Sequence, residues 1–263
     1  MKTKMSQMKR VGAVALSIVL LTSAAPAAVD AFDLFFDGED TSNPTWTHTS
    51  GLVNSTGQSW SVTGGAYRLQ APNNGFSTYG FVGSMLGSVN SDVRVEADFL
   101  DWAEPSNGIG GVFGVGARWT TSGGFNNLNG YAYAYEPFAN GLNGEMVLYR
   151  INGVSLTDLG SQQVSLDPTK NYTFVLDITG SQLTGQVFEI GVGKVAERVA
   201  IDATYASGLS SVWGYSQNAA GLPATDFTVD NVIVLVPEPA TNLLLGFGAA
   251  LLVVVRRYRI ARA

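Results

Sequence analysis

Two stretches of this chain alternate apolar and polar residues with a period of two. Val93, Val95, Ala97 and Phe99 alternate with Arg94, Glu96 and Asp98, and Tyr172, Phe174, Leu176 and Ile178 alternate with Thr173, Val175, Asp177 and Thr179. That period puts one set of side chains on each face of an extended strand and does not fit a helix, whose apolar stripe recurs every 3.6 residues. Further strand-like runs lie at 66–70, 111–119, 130–136, 145–151, 182–189, 212–215 and 227–236. Turn-forming clusters separate them, among them Thr63-Gly64-Gly65, Ser122-Gly123-Gly124 and the run 140–144, and Asn152-Gly153 reads as a type I′ hairpin turn. No long segment keeps a helical period outside the two ends of the chain. About ten strands at this spacing predict an all-β fold, a two-sheet antiparallel sandwich.

Size and charge narrow the function. The chain has 263 residues, and setting its two ends aside leaves roughly 200, enough for one large sandwich with its own core. It has no cysteine, which excludes thiol catalysis and thiolate metal sites. Eight of the fifteen basic residues lie in the ends. Between Ala31 and Val236 stand seven basic and nineteen acidic residues, a net of −12. An acidic body repels phosphate backbones and anionic lipid surfaces, so nucleic acid is not an expected partner.

The ends carry targeting signals. Lys9-Arg10 precedes an apolar run at 11–21 and the small residues Ser23-Ala24-Ala25-Pro26-Ala27-Ala28. This is the pattern of a secretory signal peptide, cut after Ala27 or after Ala31, with the Sec translocon as the implied partner. At the other end Pro237-Glu238-Pro239 precedes an apolar run at 243–255 and Arg256-Arg257-Tyr258-Arg259. Such a run spans a bilayer marginally, with its basic end held in the cytoplasm and the body outside. The expected organisation is a signal peptide at 1–31, a sandwich at 32–236 and a tail at 237–263.

The tripeptide, the short apolar helix and the Arg-rich end resemble the PEP-CTERM sorting tail. The resemblance implies recognition of Pro237, Glu238, Pro239, Arg256 and Arg257 by an exosortase-type membrane transpeptidase. It implies a chain held transiently in the cytoplasmic membrane, then released to the envelope, surface or extracellular matrix of bacteria that make exopolysaccharide. The body resembles the concanavalin A-like, laminin-G-like jelly rolls. The matching pieces are Gly110-Gly111-Val112-Phe113-Gly114-Val115-Gly116-Ala117-Arg118, Asn129-Gly130-Tyr131-Ala132-Tyr133, Leu148-Tyr149-Arg150-Ile151-Asn152-Gly153, Tyr172-Thr173-Phe174-Val175-Leu176-Asp177 and Phe227-Thr228-Val229-Asp230-Asn231-Val232. It implies carbohydrate or protein binding.

Three sets of residues are candidates for chemistry. Glu96, Asp98 and Asp101 resemble the Glu-x-Asp-x-x-Glu strand of laminarinase-like glycosidases, with Glu96 as nucleophile, Asp98 as its tuner and Asp101 as acid/base. A bulge before Asp101 would bring it alongside the other two. Trp102, Trp119, Tyr131, Tyr133, Tyr135, Trp213 and Tyr215 are expected as flat surfaces for sugar rings of a neutral polysaccharide. The jelly-roll likeness also implies a structural Ca²⁺ joining the chain ends, for which Asp33, Asp37 and Asp230 are the candidate ligands. No cofactor is required. The lone histidine, His48, is expected in a solvated loop. The preferred reading is an exported, non-catalytic surface or matrix protein that binds glycans. The alternatives are a jelly-roll glycoside hydrolase and a purely structural surface protein.

Overall fold

The computed structural model describes residues 27–42, 44–50, 58–71, 80–102, 111–120, 127–137, 143–153, 155–216 and 225–237. Residues 1–26 of the expected signal peptide, Glu238, Pro239, the apolar run 243–255, Arg256 and Arg257 lie outside the described residues, as do Ser122-Gly123-Gly124 and residues 140–142 of the expected turns. Among the described residues there is no α-helix, and none therefore that is long and apolar enough to cross a membrane.

Fifteen strands are described: β1 (Ala27–Asp33), β2 (Thr47–Ser50), β3 (Ser59–Thr63), β4 (Ala66–Ala71), β5 (Gly80–Asn90), β6 (Val93–Trp102), β7 (Gly111–Trp119), β8 (Asn129–Glu136), β9 (Glu145–Asn152), β10 (Ser155–Gln163), β11 (Tyr172–Thr179), β12 (Gln182–Glu189), β13 (Gly193–Ile201), β14 (Gly208–Ser216) and β15 (Thr225–Pro237). They form two antiparallel sheets. Sheet I runs β13-β12-β11-β6-β15-β4-β3, with β1 added to β15, and sheet II runs β10-β9-β8-β7-β14-β5-β2. The described strands run from Ala27 to Pro237.

Turn chemistry sets the registers. Thr63 pairs with Ala66, leaving Gly64 and Gly65 as a two-residue loop with φ of 65° and 82°, the type I′ pattern. The β9–β10 hairpin turns one residue later than the sequence suggests. Asn152 pairs with Ser155, and Gly153 supplies the positive φ between them.

The core lies between the sheets. From sheet I come Val95, Ala97 and Phe99 of β6 and Phe174 and Leu176 of β11. Phe113 and Val115 of β7 and Tyr131, Tyr133 and Tyr135 of β8 face them from sheet II. The ring centroids of Phe99 and Phe174 are 4.3 Å apart, and those of Phe99 and Phe113 are 5.3 Å apart. Each such side chain removed from water contributes about 1.5–3 kcal/mol.

One end of the sandwich is closed by Arg118. Its side chain is 3% exposed and donates to the carbonyls of Ser91, Tyr205 and Gly180. It therefore joins the β5–β6, β13–β14 and β11–β12 connections at one planar group.

Candidate functional site

The two sheets differ on their outer faces. The outer face of sheet I is polar, and along β6 buried residues alternate with half-buried ones as far as Leu100. In the middle of sheet II, along β7, β8 and β9, residues on both faces are buried. All nine residues of β7 are buried, although every described strand belongs to one of the two sheets.

The sheet registers place the outer face of sheet II residue by residue. One row across it reads Gly83, Trp213, Gly114, Ala134 and Val147. The next reads Met85, Ser211, Gly116, Ala132, Tyr149 and Asp158. Glycine and alanine form a floor, and aromatic rings lie on it. Phe81, Trp119 and Trp213 make a three-ring group with centroids 5.8 to 6.1 Å apart. A Cβ built on Gly116 would stand 2.4 Å from both the Trp119 indole nitrogen and Ser211 Oγ, so those two polar atoms converge over the glycine. The Trp119 nitrogen donates to the carbonyl of Tyr131 at 2.7 Å. Among the described residues Trp213 Nε1 and Ser211 Oγ are buried without a hydrogen-bond partner, as are Trp102 Nε1, the Tyr133 hydroxyl, Ser210 Oγ and Thr225 Oγ1. Orphaned buried donors are rare in native folds, which satisfy most such groups with protein or solvent.

The β8–β9 end of the same face is acidic. The Tyr149 hydroxyl donates to the Glu136 carboxylate. Burial raises the Glu136 carboxyl above its ordinary value against that hydrogen bond, with Glu145 and Asp158 adding to the rise. Burial, then the Glu136 charge, pushes the Tyr149 hydroxyl up as well.

The expected aromatic platform is corrected. Trp102, Trp119, Tyr131, Tyr133, Tyr135 and Trp213 are all buried. The three tyrosines of β8 point inward because the gap between sheets, about 10 Å, takes large rings. A Cβ on Gly185 of the opposite sheet would stand 2.3 Å from the Tyr133 ring. Trp102 packs inward against Phe113 at 5.4 Å and Tyr172 at 5.8 Å. Only Tyr215 of the seven stays half-buried, beside Phe81 and Val112 on the outer face of sheet II.

The three acids of β6 share the outer face of sheet I. The register with β15 shifts between Phe99 and Asp101, the bulge that the spacing called for. The acids are nevertheless taken up in local bonds. Glu96 pairs with Arg94, and Asp98 accepts from Thr173 Oγ1 at 2.5 Å and Asn231 Nδ2 at 2.9 Å. Asp101 is exposed at the edge of this face.

The expected calcium ligands are engaged separately in the structure. Asp33 is buried, and its two oxygens accept from Phe35 N and Trp46 Nε1, both at 2.7 Å. Asp37 accepts from Glu39 N in a turn. Asp230 lies within β15, register partner of Asp98 in β6, whereas Asp33 of β1 pairs with Val232. Among the described residues no three His, Cys, Asp or Glu side chains stand close enough to hold a metal. His48 also differs from expectation. It lies in β2, stacked on Trp60 at 4.7 Å and bonded to Asp40 at 2.8 Å and to the Tyr67 hydroxyl at 3.0 Å.

Phe81, Gly116, Ser211, Glu136 and Tyr149 were not singled out in the sequence. The signal was the large/small alternation of Phe113-Gly114-Val115-Gly116 and Tyr131-Ala132-Tyr133-Ala134, which marks one face as a floor.

No family model and no curated protein matches this chain. Solved structures do match in fold. The CBM2 module of the Lactobacillus casei BL23 phage J-1 evolved Dit is 11% identical with a TM-score of 0.55, covering 81% of this chain and 97% of that one. The exoplasmic/lumenal domain of VIP36, in a form bound to Ca²⁺ and Man3GlcNAc, is 10% identical with a TM-score of 0.53, covering 80% and 89%. A Bacillus subtilis protein of unknown function with a galectin-like fold is 11% identical with a TM-score of 0.51, covering 81% and 100%. The fold is therefore an all-β, two-sheet antiparallel sandwich of the lectin- and galectin-like jelly-roll kind.

Proposed function

We propose that this chain is an exported, non-catalytic surface protein whose sandwich binds a neutral polysaccharide on the outer face of sheet II. The observation that carries the reading is Tyr215, half-buried beside Phe81 and Val112 on the outer face of sheet II, at the margin of the buried group of Phe81, Trp119 and Trp213. An aromatic ring at such a margin stacks on sugar C–H faces, and nearby polar groups bond sugar hydroxyls. The carbohydrate-bound VIP36 domain shares the fold and lends support. The acidic end at Glu136 and the body's net negative charge favour a neutral glycan over an anionic one. Export and sorting rest on the signal segment, Pro237-Glu238-Pro239, the apolar run and the Arg-rich end. An exosortase-type transpeptidase would remove the tail and release the body to the surface or matrix.

The test is retention and turnover of neutral and acidic polysaccharides by the exported protein. Tyr215→Ala, at the half-buried margin of the face, is expected to weaken retention on neutral glycans with the fold intact. Turnover that disappears in Glu96→Gln would establish the glycosidase instead, and the absence of both activities would leave a structural surface protein.

A further inference from the structure

Strand β1 belongs to the folded body. Ala27 pairs with Pro237, Ala28 with Val236, Val29 with Leu235, Ala31 with Val234, Phe32 with Ile233 and Asp33 with Val232. The register slips between Val29 and Ala31. At that irregularity the Asp30 carboxylate turns toward β5, accepting from Ser88 N at 2.9 Å, Ser88 Oγ at 2.6 Å and Asn90 Nδ2 at 3.0 Å. Gly87 makes the approach possible, since a Cβ there would stand 2.6 Å from Asp30 Oδ2. One carboxylate thus stitches β1, a strand of sheet I, to sheet II.

The two sequence-allowed leader cuts act differently on this arrangement. A cut after Ala31 deletes Asp30 and four of the six register pairs, leaving the Ser88 and Asn90 donors and the end of β15 without their neighbours. A cut after Ala27 deletes one pair and none of the Asp30 bonds. Ala25 and Ala27 supply the small side chains that a leader peptidase needs before its bond. We infer that the leader is cut between Ala27 and Ala28, so that the mature chain opens on Ala28 held against Val236. Water is the co-reactant: its hydroxyl ends the leader at Ala27 as a carboxylate, and Ala28 becomes an α-ammonium group. The bond is cut before β1 docks, because a docked strand withholds its backbone from a protease. The new N-terminus then emerges beside Pro237, where the proposed sorting tail begins.

The inference rests on the export reading, and one experiment separates the two. The full chain is produced in an exporting bacterial host, and the N-terminus of the product is read by sequencing and intact mass. Ala28 is the expected first residue. Phe32 would overturn this inference and leave export standing, whereas a chain still opening on Met1 would overturn both. Ala27→Glu, which places a large charged side chain before the bond, is expected to accumulate leader-bearing chain. A mature product from that variant that opens on Phe32 and melts like wild type would also overturn it, because β1 would then be dispensable.

Discussion

Trp119 lies directly over Gly116, so that a methyl group on the glycine would stand 2.4 Å from the indole nitrogen. The same nitrogen donates to the Tyr131 carbonyl at 2.7 Å, so the indole has no room to slide without losing that bond. Gly116→Ala is therefore expected to lower stability by about 2–3 kcal/mol, the range for overpacking in a tight interior plus one strained hydrogen bond. Chemical denaturation checks it. Adding Trp119→Phe should recover part of the loss, and two strictly additive effects would show that the contact carries no strain.

Arg118→Ala tests the planar clamp. Three carbonyls, of Ser91, Tyr205 and Gly180, lose their donor together. Ser91 and Gly180 are exposed and Tyr205 is half-buried, so their carbonyls can turn to water, and losing three charge-assisted hydrogen bonds together with the packing of the buried side chain is expected to cost about 2–3 kcal/mol. Arg118→Lys should recover little, because one ammonium cannot reach three acceptors in the geometry of a planar fork. A thermal midpoint for Arg118→Lys equal to wild type would refute the clamp.

The sandwich itself was legible because burial on one face writes a period of two, as in β6 and β11. Strands escaped where that period fails. β13 reads Gly-Lys-Val-Ala-Glu-Arg-Val-Ala-Ile, an edge strand with Val199 and Ile201 exposed, so no buried face disciplines its pattern. β1 was hidden because Ala27–Ala31 also satisfies a leader peptidase's taste for small residues. The aromatic candidates were misplaced because tyrosine at alternate positions fixes a face but not which face. Only the partner sheet, with Gly185 opened for Tyr133, assigns it to the interior. The acids of β6 were placed correctly on one face, bulge included, yet a sequence does not show that Thr173 and Asn231 already occupy Asp98.

Two carboxylates give opposite pH dependences. Asp202 accepts from Thr204 N at 2.8 Å, the Tyr131 hydroxyl at 2.7 Å and Arg150 at 2.8 Å. Burial opposes its charge, but those bonds and the Arg150 charge hold its carboxyl down to about 2 from 3.8. The folded state binds this proton less tightly than the unfolded one, so the stability is present above pH 3.8 and is lost as pH falls toward 2. Asp202→Asn should cost about 1–2 kcal/mol at pH 7 and flatten the acid limb of the stability profile. Glu136 runs the other way. Its carboxyl is raised above 4.5, so its favourable protonation is present below that value and is lost as pH rises through the raised one. Glu136→Gln keeps an acceptor for Tyr149 and removes the buried charge, so the midpoint at pH 7 is expected to hold or rise. Thermal melts of both variants across pH 2–8 would show the two slopes, and parallel profiles would refute the assignment.

The outer face of sheet II makes a prediction in which stability and binding move in opposite directions. Ser211 Oγ and Trp213 Nε1 are buried without partners, and a buried donor or hydroxyl in that state costs about 1–3 kcal/mol relative to an apolar group of the same shape. Ser211→Ala removes the hydroxyl and little volume. Trp213→Phe removes the indole N–H but also shrinks the ring, so its gain is offset by the space left over Gly83 and Gly114. Ser211→Ala is therefore expected to melt at or above the wild-type midpoint, and Trp213→Phe at or slightly below it. If these atoms are kept for a ligand, both variants lose retention on neutral polysaccharide by roughly five- to tenfold, the equivalent of one hydrogen bond of about 1–1.4 kcal/mol. A residue that serves only the fold shows the reverse: removing it lowers the midpoint and leaves retention untouched. Ser211→Ala separates the two roles more cleanly, because its loss of binding would come with no loss of fold. Unchanged retention in a fully folded Ser211→Ala and Trp213→Phe pair would confine any glycan contact on this face to its half-buried margin at Tyr215.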